Sequence, residues 1–418
     1  MNSIFWIILT AIVIDFAIGL ISTTLNVRRL EAMAPGGLED VYEIDEYRKS
    51  QEYTRTQSQF GLIVGSVKLG ALLIFWLLGG FNYIDQVVRG IGWNEVGTGL
   101  VFIGCLTILS FMLSLPFNLY GTFVIEEKFG FNKTTIRTYI LDTLKSLILS
   151  SLIGIPLLAG MLYFFEYTGS LAWLYVWALV IVVSLVMQII APIWIMPIFN
   201  KFTPLEEGDL RRSIMEYAEK VNFTYGNVYV IDGSRRSAHS NAFFTGFGKT
   251  KRIALFDTLI EQLSTDEILS VIAHEVGHNK KRHILLGMTL SILHTGALLF
   301  LLSLVLENRL LFDAFFMEST SIYASIMFFG LLFTPVDLIM SPLLQLISRR
   351  HEYEADRWAV DTTHDRQYLV SGLKKLAAKN LANLSPHPVF VILNYSHPPL
   401  LSRIEAINLA EDSHEVSV

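Results

Sequence analysis

The 418-residue chain is 52% hydrophobic and only 17% charged, and its mean hydropathy of +0.47 is higher than a single soluble core requires. The formal net charge of −6 excludes a basic face for nucleic acid, so no nucleic-acid partner is expected. The one cysteine, Cys105, has no partner for an intramolecular disulfide and reports no oxidising compartment. These values indicate a mainly α, polytopic membrane protein in contact with membrane lipid.

Seven apolar runs are each long enough for a helix to cross a bilayer core of roughly 30 Å. They cover residues 4–25, 60–81, 96–120, 144–165, 171–195, 284–306 and 322–347. The first run lacks the basic n-region and the cleavage site of a secretory signal, so we interpret it as a retained span. The sequence therefore predicts about seven transmembrane helices.

Basic residues in the short loops predict the orientation, because cytoplasmic loops are enriched in Lys and Arg. The loops after the first and third runs contain most of them: Arg28, Arg29, Arg48, Lys49, Arg55, Lys128, Lys133 and Arg137. The alternate loops contain one basic residue or none. This pattern places the N-terminus outside and the C-terminus in the cytoplasm.

Four segments follow from these spans. Residues 1–196 hold helices one to five, residues 197–283 form a cytoplasmic catalytic insertion, residues 284–347 hold helices six and seven, and residues 348–418 form a cytoplasmic tail. Within the insertion we predict a helix over 206–221, a strand at Asn227–Ile231, and a hairpin of 240–247 with Arg252–Phe256 around a turn at 246–250. The insertion is expected to form a small α+β domain.

The helix that follows this hairpin contains the sequence HEVGH. Ser264 and Glu267 have the spacing of a capping box and predict where the helix begins. His274 and His278 lie four residues apart on one helical face and can present two imidazoles to one ion, with Glu275 beside them to activate water. This is the arrangement of zinc peptidases. The alternative is a chance occurrence of the pattern, and the capped apolar helix around it favours the zinc site.

A third zinc ligand is expected near residues 348–356. The catalytic helix runs straight into the sixth span, and the seventh span returns to the same side just before this segment. Glu352 and Asp356, four residues apart, suit a metal-binding carboxylate and a second carboxylate that orients a ligand histidine. His351 and Glu354 are competing candidates, and a solvated interfacial face is the non-functional alternative.

Several motifs resemble those of the type I CaaX prenyl proteases, an integral-membrane family of gluzincin zinc peptidases. Besides HEVGH, the matching segments are 116–135, 197–210, 234–259, EYEAD at 352–356 and SHPPLLSRI at 396–404. The resemblance spans nearly the whole chain. It implies one Zn²⁺ held by His274, His278 and Glu352, with Glu275 as the general base and Asp356 supporting the site.

The same resemblance implies that the seven helices enclose a large water-filled chamber with the zinc site near its cytoplasmic end. Ionisable residues inside the spans would then face water, because they are costly in lipid. Asp15, His294 and Asp337 are of this kind. Interhelical packing is the alternative explanation for them.

For the substrate, the resemblance implies a peptide that adds as a strand along residues 240–247 and pairs with Asn241 and Ala242. Asn241 is otherwise an ordinary turn residue. The resemblance also implies that His397, in the HPPL motif, stabilises the oxyanion. Arg403 is assigned to substrate binding, with a structural ion pair as the alternative.

The implied function is hydrolysis of peptide bonds near the C-terminus of prenylated or membrane-tethered substrates. The loop at 307–321 is short and the chain ends without a dilysine signal, so prenylation of the substrate is not assured. The location is then the plasma or inner membrane in a prokaryote and the endoplasmic reticulum in a eukaryote.

One alternative function is a quality-control zinc protease with no prenyl requirement. Another is a non-enzymatic transporter or scaffold with a structural zinc, against which the presence of Glu275 argues.

Overall fold

The computed structural model describes residues 1–31, 33–245 and 252–415. The turn predicted at 246–250 lies outside these residues. Helices dominate the first 199 residues: α1 Ser3–Arg28, α2 Ile44–Leu77, α3 Gly80–Arg89, α4 Glu95–Tyr120, α5 Glu127–Phe129, α6 Ile136–Tyr167, α7 Ala172–Ile190 and α8 Met196–Phe199. Two π-helical turns, Gly121–Glu126 and Ala191–Ile195, join α4 to α5 and α7 to α8.

The remaining helices follow the first strand of a small sheet. They are α9 Asp209–Lys220, α10 Asp257–Gln262, α11 Thr265–Lys280, α12 His283–Ser303, α13 Arg309–Ala314, α14 Ile322–Leu332, α15 Thr334–Thr363, α16 Arg366–Lys379, α17 Pro388–Asn394 and α18 Leu400–Glu415. Among the described residues, six helices are long and apolar enough to cross a membrane, and α14 with α15 makes a seventh. Their outer faces carry exposed apolar side chains such as Trp194, which is 72% exposed. A bilayer supplies the apolar surroundings that these side chains need.

The seventh predicted span is not one straight helix, which corrects the sequence prediction. Its two parts, α14 and α15, are bent by 56° at Phe333. Pro335 explains the bend, because proline lacks the N–H that would continue the hydrogen bonds of α14 and its ring clashes with the preceding turn. Proline is well tolerated in the first turn of a new helix, where it lies here. The helix then continues without interruption to Thr363.

A cavity of about 850 Å³ lies between α1, α2, α15 and α17. Asp15 and Asp337 both line it, so two of the three ionisable residues that we expected in a chamber share one cavity between these helices. His294 instead packs edge-on against Phe333, with the ring centroids 6.1 Å apart. This contact is consistent with interhelical packing of His294, and a position facing the chamber stays a prediction.

The insertion contains a four-stranded sheet. Its strands are β1 Phe202–Pro204, β2 Asn227–Ile231, β3 Ala242–Thr245 and β4 Arg252–Phe256, in the order β1-β2-β4-β3. β3 and β4 are antiparallel, as predicted, whereas β2 and β4 are parallel. The first helix of the insertion, α9, begins at Asp209 and not at residue 206 as predicted. The preceding segment instead pairs with β2, and the Leu205 N–H donates to Val228 O at 2.9 Å. The sheet, α9, α11, α15 and α16 share one apolar core.

The catalytic helix does not run straight into the sixth span, which is a second correction. α11 ends at Lys280 and α12 begins at His283. Between them Arg282 has φ of 61°, in the left-handed region that side chains other than glycine rarely adopt. The chain therefore changes direction at Arg282 before it enters α12.

Candidate metal centre

The helix that carries HEVGH begins where its capping box predicts. The Glu267 N–H donates to Ser264 Oγ at 3.3 Å, and the Ser264 N–H donates to Glu267 Oε2 at 2.8 Å. Glu267 also accepts hydrogen bonds from Ser371 and Lys375 on α16. Burial opposes ionisation of Glu267, but its hydrogen bonds, first that from Lys375, outweigh burial and lower its pKa. The start of α11 is thereby tied to α16.

α11 and α15 cross very closely at Gly277. A Cβ atom on this residue would lie 3.0 Å from Trp358 Cβ and 3.1 Å from Ala355 Cα, closer than ordinary van der Waals contact. The small residue therefore allows the two backbones to approach, and side chains one turn away on each helix can meet. This crossing brings the HEVGH motif to residues 352–356.

We expect Gly277→Val to push α11 and α15 apart. Overpacking of a close contact costs about 1–3 kcal/mol, so the variant should unfold at a lower temperature than the parent and bind its metal more weakly. Gly287→Val is the matched control, because a Cβ atom on Gly287 in α12 meets nothing within 4 Å. Thermal unfolding in detergent measures the difference. Equal unfolding temperatures for the two variants would contradict this explanation of Gly277.

Three side chains from the two helices converge on one point. Nε2 of His274 and Nε2 of His278 are 3.2 Å apart. Glu352 Oε2 lies 3.5 Å from His274 Nε2, and Glu352 Oε1 lies 3.3 Å from His278 Nε2. One ligand atom from each residue lies within 4.8 Å of the other two, and no other such group of three is found among the described residues. The structure thus brings together the three residues that the sequence analysis assigned to the metal.

The donor set fits a metal cation. Tetrahedral ligands at about 2.0–2.1 Å from an ion are about 3.3–3.4 Å from one another, which is close to the distances of 3.2, 3.5 and 3.3 Å found here. Glu352 Oε2 is buried and has no hydrogen-bond partner among the described residues. Burial opposes the charge of Glu352, but His274 and His278 outweigh it and hold the pKa of this carboxyl well below its usual range. An ionised carboxylate oxygen that faces two imidazoles and accepts no hydrogen bond from the described residues is suited to bind a cation.

Asp356 lies behind His274 on the side away from the ligand atoms. Its Oδ1 is 2.8 Å from His274 Nδ1, so that nitrogen carries the proton and Nε2 keeps its lone pair for a metal. Burial disfavours a charged His274, but the hydrogen bonds with Asp356 and Glu352 outweigh burial and raise its pKa to about 9. A cation that binds through Nε2 must displace the second proton, which a charged His274 carries on that atom.

Arg403 makes a bidentate ion pair with Asp356. Its Nε and Nη2 donate to the two carboxylate oxygens at 2.8 and 2.6 Å. Nη2 also lies 3.4 Å from His274 Nδ1. These contacts support the structural ion pair. Nη1 is not held by Asp356 and lies 3.9 Å from Glu352 Oε2, so the substrate-binding role of Arg403 stays a prediction.

Glu275 and His397 lie next to the three converging side chains. Glu275 is half-buried, and burial raises the pKa of its carboxyl despite the opposing effects of His274 and His278. His397 is exposed, its Nε2 lies 3.4 Å from Glu352 Oε1, and its Nδ1 is hydrogen-bonded to Ser396. The site therefore combines a group that can accept a proton with an exposed imidazole beside the three converging side chains.

Comparisons with known proteins show the family to which the chain belongs. Residues 23–201 match the family model described as CAAX prenyl protease N-terminal, five membrane helices, and residues 204–411 match Peptidase family M48. The CAAX prenyl protease 1 of Saccharomyces cerevisiae is 37% identical over 410 residues, which cover 91% of this chain and 90% of the relative. The chain belongs to the CAAX prenyl protease family of M48 peptidases. It is an integral, multi-pass membrane metallopeptidase of the type I CaaX kind.

Further relatives support this membership. The CAAX prenyl protease 1 homolog of Arabidopsis thaliana is 37% identical over 402 residues, which cover 92% of this chain and 94% of the homolog. The crystal structure of S. mikatae Ste24p superposes with a TM-score of 0.93 at 35% identity, covering 98% of this chain and all of that one. The family resemblance inferred from the motifs is thus confirmed over nearly the full length.

In this M48 peptidase, β3 forms the edge of the sheet that lies against the catalytic helix. The Phe256 N–H donates to Asn241 O at 3.1 Å, so the backbone of Asn241 faces β4. Alternation in an antiparallel pair then directs the backbone groups of Ala242 to the open side. Asn241 Oδ1 accepts the Ala242 N–H at 2.9 Å. A pairing peptide would therefore meet the backbone of Ala242 and the side chain of Asn241.

The competing ligand candidates belong to a neighbouring cluster. Glu354 Oε2 lies 3.1 Å from Nε2 of His283, and the His351 ring stacks on His283 with centroids 4.0 Å apart. His283 Nδ1 lies 3.1 Å from Nδ1 of His278. His283 was not among the predicted site residues, and the available signal was a third histidine shortly after the two of HEVGH.

Proposed function

We propose that the metal is zinc, held by His274, His278 and Glu352, and that the chain cleaves peptide bonds near the C-terminus of prenylated or membrane-tethered substrates. The observation that carries the proposal is the convergence of two imidazole nitrogens and a buried carboxylate within 4.8 Å, with Glu275 beside them. Two histidines and a glutamate are the protein ligands of many zinc peptidases. The names of the relatives supply the substrate class.

Glu275 is the proposed general base. Bound zinc would polarise the scissile carbonyl and lower the pKa of the attacking water. The Glu275 carboxylate takes the proton from that water and delivers it to the leaving amine. Its pKa, raised by burial, makes it a better proton acceptor than an exposed glutamate. The hydrolysis needs no covalent bond to the protein.

His397 is the proposed donor to the oxyanion that develops on the scissile carbonyl. Its Nε2 is close to Glu352 and its ring is exposed, so it can reach a substrate from outside the ligand cluster. Its hydrogen bond with Ser396 orients the imidazole. A donor aimed at the developing charge stabilises the transition state more than the ground state.

Substrate binding is proposed along the open edge of β3. Ala242 offers its backbone there, and the Asn241 side chain, which now accepts the Ala242 N–H, can turn to the incoming peptide. Backbone pairing binds many sequences alike, so specificity must come from the lipid or the substrate C-terminus. The basic loops support a cytoplasmic position for this edge, for the zinc site and for the C-terminus.

A matched pair of peptides tests the substrate class. We expect the purified protein to cleave a farnesylated CaaX peptide with a higher kcat/KM than the same peptide without its lipid, because the prenyl chain partitions beside the membrane helices. Mass spectrometry identifies the bond that is cut. Equal kcat/KM for both peptides would favour the quality-control protease. Zinc binding without cleavage of either would favour the structural-zinc alternative.

A further inference from the structure

The two ligand histidines have different partners at the nitrogen that faces away from the metal position. His274 Nδ1 meets the carboxylate of Asp356 at 2.8 Å. His278 Nδ1 meets another imidazole, that of His283, at 3.1 Å between the two Nδ1 atoms. His283 Nε2 in turn lies 3.1 Å from Glu354 Oε2. A chain of hydrogen bonds thus leads from His278 through a second histidine to a carboxylate.

The proton on each nitrogen of this chain follows from simple chemistry. A neutral His278 that binds a metal through Nε2 must carry its proton on Nδ1. His283 Nδ1 must therefore accept, which leaves the proton of a neutral His283 on Nε2. Glu354, a carboxylate, is an acceptor and completes the chain. The same assignment follows from the carboxylate end without assuming a metal. Glu354 accepts from His283 Nε2, so His283 Nδ1 accepts from His278 Nδ1, which leaves Nε2 of His278 with a free lone pair.

The fold holds His283 firmly in this position. Its side chain is only 6% exposed. The left-handed conformation of Arg282 turns the chain so that the first residue of α12 lies back against the end of α11. On the other side the ring stacks on His351 with an interplanar angle of 7°. Arg350 pairs with Glu354 at 3.0 Å and holds that carboxylate in turn.

We propose that His283 and Glu354 are positioning residues that fix the tautomer and the ring orientation of His278 for metal binding. The inference rests on the proposed zinc site and extends it. Groups that orient a ligand histidine affect metal affinity although they do not touch the ion. α15 then orients both ligand histidines, because its Asp356 contacts His274 and its Glu354 contacts His283, which in turn contacts His278. The same helix carries the third proposed ligand, Glu352.

The test is the dissociation constant of zinc, measured by competition with a chromogenic chelator on the full-length protein in detergent. His283→Phe keeps an aromatic ring in the stack but removes both nitrogens, and we expect it to bind zinc about 10–100-fold more weakly. Glu354→Leu should weaken binding in the same direction. His283→Gln, whose amide can both accept and donate, should recover part of the loss. His351→Phe preserves the stack and should bind zinc as the parent does.

The controls separate positioning from packing. Glu354→Leu lies at a partly exposed position and should stay folded without metal, and its unfolding temperature, measured beside the zinc affinity, gives the cost of losing the hydrogen bond with His283. Equal weakening by His283→Phe and His351→Phe would assign the effect to the stacked rings and overturn the proposal. If His283→Phe does not fold, Glu354→Leu decides, and an unchanged dissociation constant overturns the proposal. A parent protein without zinc affinity would instead contradict the proposed zinc site itself.

Discussion

Glu275→Gln should lower kcat by about 10²–10⁴-fold, the range associated with general acid–base catalysis. Glutamine has the size of glutamate but cannot take a proton from water. The half-buried carboxyl has a pKa raised by burial, so its replacement by a neutral amide costs the fold little. Zinc content and unfolding temperature should therefore equal those of the parent. Cleavage of the farnesylated peptide under saturating conditions measures the loss.

The matched control is Glu261→Gln, the same change at an exposed position of α10. It should leave kcat unchanged. A Glu275→Gln protein with parental kcat would show that another group accepts the proton. A protein that loses zinc together with activity would show that Glu275 acts through the metal ligands, contrary to the proposed role.

Glu352→Gln should release the metal. The substitution replaces an ionised oxygen, which has no hydrogen-bond partner among the described residues, by a neutral amide that binds cations poorly. Because Glu352 is a direct ligand in the proposed site, we expect zinc affinity to fall by more than the about 10–100-fold typical of groups outside the ligand shell. Activity should fall in parallel. Metal analysis after dialysis measures the effect.

Its control is Glu405→Gln on an exposed face of α18, which should retain zinc. Excess zinc should partly restore the activity of Glu352→Gln, whereas it should not restore Glu275→Gln. The different response to excess zinc distinguishes Glu352, a proposed metal ligand, from Glu275, the proposed general base. If Glu352→Gln kept parental zinc affinity, the third ligand would lie elsewhere.

Local sequence patterns predicted those strands and helix ends that are specified by residues a few positions apart. The strands Asn227–Ile231 and Arg252–Phe256 have the predicted bounds, and α11 begins directly after its capping box. β1 was missed, because Phe202–Pro204 is too short to have a periodicity of its own and is a strand only through its pairing with β2. The bend at Pro335 was missed for a different reason, since hydropathy measures the length of a span and not its straightness.

The contacts of Arg403 could not be predicted from the residues near it in the sequence. Its position in the SHPPLLSRI motif left substrate binding and ion pairing open. Only the packing of α18 on α15 brings its guanidinium to both oxygens of Asp356. The same holds for Asn241, whose backbone could be assigned to one side of β3 only after the pairing with β4 was known.

The sequence by itself determined the pair of histidines, because the helical repeat of 3.6 residues puts His274 and His278 on one face. Spacing alone did not decide among His351, Glu352 and Glu354, which lie within one turn of α15, and only the family resemblance favoured Glu352. The close crossing at Gly277 made that choice, because it sets which face of α15 meets α11. The contact of His283 with His278 depends likewise on the break at Arg282. Spacing along the chain fixes neighbours on one helix, whereas contacts between helices depend on how the backbones pack and turn.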